Sequence, residues 1–175
     1  LNGRINLNSE FTPGTGEQNN TVASYRAAIR LLTDPMTSRA NIVAVPGQKD
    51  SFVTDFAAER TEDFGQAIYL MDIPSFGINS SGVSTRIFDG SSMIPSVRET
   101  SEQFESRSVN NNFAAAYFPD IKINDDNTGR LIQVPASIAA LSALGFNDSV
   151  AYPWFAPAGF NRGSLGFVQN LAVKL

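Results

Sequence analysis

The spacing of apolar positions changes several times along the chain, and each change predicts an element. Between residues 21 and 33, Val22, Tyr25, Ala28, Ile29 and Leu32 recur every three or four positions, the period of a helix face. Asn20 or Thr21 is placed to cap its start, and Asp34-Pro35 to end it. Asn41 to Val45 is a short apolar run closed by Pro46-Gly47, which reads as a buried strand and a turn. Asp50 or Ser51 then caps a second helix reaching about Phe64, with Phe52, Val53, Phe56, Ala57, Arg60 and Phe64 on its inner face. Gly65 stands where a left-handed C-terminal cap belongs. Ala67 to Ile73 is the next apolar run. Strand, helix and strand joined by short turns predict a βαβ unit with a parallel pair.

Residues 75–92 are rich in Ser and Gly and read as a long surface loop. Ile94, Val97, Ser101, Phe104 and Ser108 give a weaker helix over 94–107. Phe113 to Phe118 reads as a third buried strand, central and parallel like 42–45 and 67–73, because these runs lack clean alternation. Ile121 to Ile123 extends that strand or pairs beside it, Asp125 to Gly129 is a turn, and Leu131 to Val134 returns as a strand. Pro135 opens a small-residue helix to Leu144, with Gly145 as its stop. Helices 50–64 and 135–144 are expected to pack on the sheet. Residues 147–163 are an aromatic, Pro-rich loop, and 165–175 are extended. The first 20 residues read as an arm, with a short strand at Arg4 to Leu7. The predicted fold class is α/β in the α+β sense: a mixed, partly parallel sheet with helices packed on it.

Composition narrows the chemistry. Apolar residues make up 42% of the 175 positions and charged residues 17%, which excludes a disordered, highly charged chain. No apolar run approaches the roughly 20 residues needed to span a bilayer, so no membrane association is expected. The net charge is −4 and the cations are scattered singly, which argues against direct nucleic acid binding. There is no Cys and no His, which removes thiol nucleophiles, disulfides, imidazole bases and Ser-His-Asp triads together.

The remaining candidates each have a plain structural explanation. Asp125, Asp126, Asn127 and Gly129 resemble the start of a calcium loop, but no acidic ligand closes it, and a β-turn favours the same residues. Gly47, Gln48 and Lys49 precede a helix N-terminus, yet lack a glycine-rich phosphate loop. Glu99, Glu102 and Glu105 repeat every three positions beside Arg98 and Arg107, as on a solvated helix face. Tyr152, Trp154, Phe155 and Phe160 form the densest aromatic cluster, suited to plugging the end of a core or a subunit interface. No catalytic, cofactor-binding or metal-ligating residue is assigned.

The order of several motifs resembles the core of contractile phage tail sheath proteins. Ala116-Tyr117-Phe118-Pro119-Asp120-Ile121-Lys122-Ile123 is similar to that family's Tyr-x-Pro-x-Ile-x-Ile strand. Val134-Pro135-Ala136-Ser137 resembles its Val-Pro-Pro-Ser turn into a small-residue helix, with Ala136 replacing the second Pro. Trp154-Phe155-Ala156-Pro157-Ala158-Gly159 contains its Ala-Pro-Ala-Gly motif. Ile42 to Gly47, followed by a helix and Ile68 to Pro74, also fits the pattern. The helix end at Leu144 to Asp148 lacks the Arg-x-Asp of many members. The positions that carry the resemblance are Tyr117, Pro119, Ile121, Ile123, Pro135, Ser137, Trp154, Pro157 and Gly159.

The resemblance implies a structural protein rather than an enzyme, with no cofactor. Such subunits stack in rings around a tail tube, linked by arms that add strands to neighbouring sheets. It implies other sheath subunits, the tube protein, a baseplate and a tail terminator as partners. It places the protein in the virion tail, assembled in the host cytoplasm. Residues 1–20 are then a flexible arm or the remnant of an inserted domain, and 21–175 a core domain truncated at its C-terminal end. With incomplete arms, the chain alone is expected to be a monomer. Two other readings are the sheath of a bacterial contractile injection system or tailocin, and a small carboxylate-based α/β enzyme. The latter would hold a divalent ion on two or more of Asp72, Asp89, Asp120, Asp125 and Asp126.

Overall fold

A computed structural model describes residues 16–88, 91–152 and 154–173. The expected strand at Arg4 to Leu7, and Asp89, lie outside them. The chain is α+β, with a parallel strand pair and helices, and divides into two units. One holds the residues up to Ile73 together with Arg107–Ala116. The other holds Pro74–Ser106 and the residues from Tyr117 onward.

In the first unit a 3-10 turn, Gly16–Gln18, precedes helix α1, Asn20–Leu32. Its cap is Asn19, whose side-chain oxygen accepts the Thr21 amide at 2.9 Å, just before the two expected cap residues. Val22 and Ile29 are buried, but Tyr25, Ala28 and Leu32 face outward, so only part of the apolar period marks an inner face. At the C-terminal end the Thr33 hydroxyl donates to the Ile29 carbonyl at 2.8 Å.

Strand β1, Ile42–Ala44, leads through Pro46-Gly47 into α2, Ser51–Phe64. The Asp50 carboxylate accepts the Phe52 amide at 3.0 Å, as an N-cap should. Gly65 closes α2 at φ 66°, a conformation that a side chain would oppose. Val53, Ala57 and Phe64 are buried as the spacing predicts. Phe56 instead carries the guanidinium groups of Arg26 and Arg30 at 4.8 and 5.0 Å from its ring centre.

Strand β2, Ile68–Asp72, runs parallel to β1, with Ile42 opposite Ile68 and Ala44 opposite Leu70. Tyr69, Leu70, Met71 and Asp72 are buried, and each large apolar side chain among them contributes about 1.5–3 kcal/mol. A third strand, Ala114–Tyr117, flanks β2 on its other side, where the Tyr69 amide donates to the Phe113 carbonyl at 2.7 Å. The expected three central strands are corrected to one. Of these three, only β2 is flanked on both sides among the described residues, and the strand at 114–117 is a half-exposed edge. Its Ala114-Ala115-Ala116 run is apolar but small, so it lacked alternation without being deeply covered.

In the second unit the Ser- and Gly-rich stretch is not a plain loop. It forms an antiparallel hairpin of β3, Phe76–Ile78, and β4, Ser84–Arg86. Asn79 makes the turn: its side-chain oxygen accepts the amides of Ser81 and Val83 at 3.0 and 2.9 Å. Helix α3, Val97–Ser106, is tied to this hairpin through Thr100, whose hydroxyl accepts the Phe76 amide at 3.0 Å.

With the strand at 114–117 as β5, the remaining strands are β6, Ile121–Asn124, β7, Leu131–Val134, and β8, Val168–Leu171. They form an antiparallel sheet in the order β7-β6-β8. Helix α4, Ala136–Val150, runs past the expected stop at Gly145. Glycine within a helix costs about 1 kcal/mol. Here the extra turn carries Asn147, whose side-chain amide donates to the Phe155 carbonyl at 2.7 Å. Helix 135–144 was expected on the β1–β2 sheet. It belongs to the second unit instead, where α4 packs with a short helix α5, Gly159–Arg162.

Candidate assembly surface

The positions that carry the sheath resemblance fall in the second unit, along β6, the β7–α4 junction and the aromatic loop. Tyr117 ends β5 and is half-buried. The Phe118–Pro119 peptide is cis, and Pro119 turns the chain into β6. Ile121 is buried and pairs with Val134 on one side and Leu171 on the other; Ile123 pairs with Ile132 and Val168. The Ile-x-Ile pattern therefore marks the middle strand of the sheet. Asp120 anchors both flanks. Its carboxylate accepts the Gln133 side-chain amide at 2.9 Å, and its carbonyl accepts the Ala172 amide at 2.8 Å. Among the described residues, β7 and β8 each have one edge without a neighbouring strand.

Pro135 is the N-cap residue of α4, in extended conformation at φ −60° and ψ 147°, and makes no side-chain cap. Ser137 is buried in the first turn of α4, beside Ala136 and near Ala139. The small side chains of that turn, together with Asn147 near its other end, are what the helix buries.

Trp154, Pro157 and Gly159 shape the aromatic loop. Tyr152 and Trp154 stack with ring centres 4.9 Å apart and planes 3° from parallel. Phe155 meets both edge-on, at 5.7 and 6.4 Å. The Arg162 guanidinium lies 4.9 Å from the Phe155 ring centre. Gly159 opens α5 at φ 76°, which requires glycine. The cluster does not plug a core: Trp154 is 75% exposed and Phe160 fully exposed.

The other candidates are occupied by the chain itself. The Asp125 carboxylate accepts the Asn127 amide at 3.1 Å and the Thr128 hydroxyl at 2.6 Å, making a turn within the β6–β7 hairpin. The Thr128 bond, with help from the Asn127 amide, holds the Asp125 carboxyl below its usual range. The Gly47 amide, considered for anion binding, donates to the Asp72 carboxylate at 3.1 Å. Glu102 pairs with Arg98 at 2.8 Å on the exposed side of α3. Among the described residues no three His, Cys, Asp or Glu side chains gather as a metal site, and no helix is long and apolar enough to cross a membrane. An open groove of about 460 Å³ runs along α1, lined by Asn20, Thr21, Ser24, Tyr25 and Ala28, with no Asp, Glu, Lys, Arg or His among them.

Arg107 corrects the reading of α3. It lies beyond the helix and in the first unit, where it forms an ion pair with Asp55 and donates to the Thr54 hydroxyl at 2.8 Å. Asn111 follows, donating to the Ala58 carbonyl at 3.0 Å. Both side chains clasp α2, ahead of β5. No sequence pattern pointed to these contacts, because the partners lie about fifty positions away.

No protein-family model matches the chain. It is 46% identical over 54 residues to a tail sheath protein of Vibrio phage KVP40. That stretch is 31% of this chain and 8% of the phage protein. The similarity is therefore to a short part of a much longer sheath protein.

Proposed function

We propose that this chain is part of the subunit of a contractile phage tail sheath. In that role it surrounds the tail tube and contracts to drive the tube through the host envelope. The identity to a tail sheath protein carries the proposal. The motif order from Tyr117 to Gly159 also supports it, because it extends over three separate features of the second unit.

The protein acts mechanically in this reading, and no catalytic chemistry is assigned to it. Its partners are identical subunits in stacked rings, the tube protein, the baseplate and the tail terminator. It resides in the virion tail after assembly in the host cytoplasm. The energy of contraction is the difference between two sets of subunit contacts. The edges of β7 and β8 that have no neighbouring strand among the described residues suit linkage by strand addition, in which backbone hydrogen bonds join neighbours that slide past each other. The nine positions named for the resemblance shape the sheet, the helix start and the loop.

Electron microscopy of the full-length protein tests the proposal. Rings or tubes of sheath dimensions are the expected result. A dispersed particle that turns over a small substrate would overturn it.

A further inference from the structure

We infer that residues 107–116 form a strap that peels from the first unit on its own, and that the ion pair of Arg107 with Asp55 is the latch that holds it shut. The strap enters the first unit at Arg107 and leaves it after Ala116. Its last residues supply β5, the outer neighbour of β2. No residue of the strap is fully buried, whereas Tyr69, Leu70, Met71 and Asp72 of β2 all are. Val109 and Phe113 are half-buried, and the run beside β2 is Ala114-Ala115-Ala116, which has little apolar area to remove from water. Segments with so little burial open at lower cost than a core.

Polar anchors take the place of burial. Arg107 pairs with the Asp55 carboxylate and donates to the Thr54 hydroxyl at 2.8 Å. The Asn111 side-chain amide donates to the Ala58 carbonyl and the Glu62 carboxylate, both at 3.0 Å. Its side-chain oxygen accepts the Phe113 amide at 2.7 Å. Between the two anchors Ser108 stands at φ 51°, in the left-handed region that a side chain opposes. The closed strap therefore holds backbone strain that opening relieves.

Solvent reaches the latch. The Asp55 side chain is 38% exposed and that of Arg107 16%. Salt screens a pair so placed, because the screening length falls from roughly 30 Å at about 0.01 M to roughly 3 Å at about 1 M. Low salt then favours the closed strap and high salt the open one. On opening, the Tyr69 amide loses the Phe113 carbonyl, which it meets at 2.7 Å, and β2 changes from a central strand to an edge. The Ile68 amide points the other way, to the Asn41 carbonyl before β1, and keeps its partner. The device lies wholly in the first unit and stands whether or not the chain serves in a sheath.

Native-state hydrogen exchange on the 175-residue chain, followed by NMR in urea below the unfolding transition, tests the latch. The Tyr69 amide should exchange faster than amides in the middle of α2. It should also depend less on urea than they do, because peeling exposes little surface. Raising salt from about 0.01 M to about 1 M should speed Tyr69 by roughly fivefold. In Arg107→Gln the Tyr69 amide should be faster by a similar factor already at low salt, and salt should add little. Asp55→Asn should behave alike, and takes the place of Arg107→Gln should that variant not fold. Without either variant, the urea and salt series on the unaltered chain decide. Tyr69 exchanging in step with the middle of α2 at every urea concentration would overturn the inference, since the strap would then open only with the whole unit. A Tyr69 rate indifferent to salt, or a salt response undiminished in the variants, would overturn the latch.

Discussion

Replacing Tyr69 with Phe should make the protein more stable. Tyr69 lies in the middle of β2 with no exposed area, and its hydroxyl has no hydrogen-bond partner among the described residues. A buried polar group left unpaired costs about 1–3 kcal/mol of desolvation. Phe keeps the ring and removes only that oxygen, so little packing is lost. A net gain of about 1 kcal/mol is expected once the small void is counted. For a chain of this size that gain raises the melting temperature by roughly 2–4 °C. In urea it moves the midpoint by about 0.5 M, taking a slope near 2 kcal/mol/M. The pH dependence supplies a second readout. Burial, reinforced by the Asp72 charge, pushes the Tyr69 hydroxyl well above its usual range. A raised folded-state value means that the folded protein holds this proton more tightly than the unfolded chain does. Stability is then full below about pH 10 and declines as pH rises further, and Tyr69→Phe should flatten that decline. Urea titrations at pH 7 and pH 10.5, with exposed Tyr25→Phe as control, make the measurement. A loss of 1 kcal/mol or more at neutral pH would refute the reasoning, since it would mean that the hydroxyl is hydrogen-bonded.

Asp50→Ala should cost about 1–2 kcal/mol in urea denaturation, because it removes the cap that starts α2. Arg107→Ala should cost about 1–2 kcal/mol, discounted for the partial exposure of Asp55; a change below about 0.5 kcal/mol would show that the clasp on α2 is idle. The Asp125 carboxyl should titrate by NMR below the ordinary value of about 3.9, and Thr128→Val should bring it back toward that value. An unchanged titration in Thr128→Val would remove the hydroxyl as the cause. Ile121→Ala should cost about 2–5 kcal/mol, because the side chain is buried at the centre of the β7-β6-β8 sheet.

The placement of individual residues shows where sequence reasoning reached and where it stopped. Caps and turns were legible: Asp50 caps α2, Gly65 ends it and Asp125 makes a turn, because each acts on backbone groups only a few positions away. The Asn79 hairpin follows the same local chemistry, but the surrounding Ser and Gly hid it behind a loop composition. The resemblance pointed to β6 and the loop from Trp154 to Gly159. That the loop's rings stand open to solvent was not legible, since an aromatic cluster reads the same in a core and on a surface.

By itself the sequence determined the α+β class, the βαβ order from Ile42 to Ile73 and the α2 caps. These depend on short-range periodicity and on residue types suited to particular backbone conformations. Tertiary structure alone decided the rest. It made β2 the central strand and β5 an edge, carried α4 through Gly145, and directed Arg107 to Asp55 instead of the α3 surface. It also left Tyr25 and Leu32 outside while Val22 and Ile29 were buried on the same helix. Each of these outcomes depends on which distant surface covers a given side chain, and an apolar residue carries no mark of that partner.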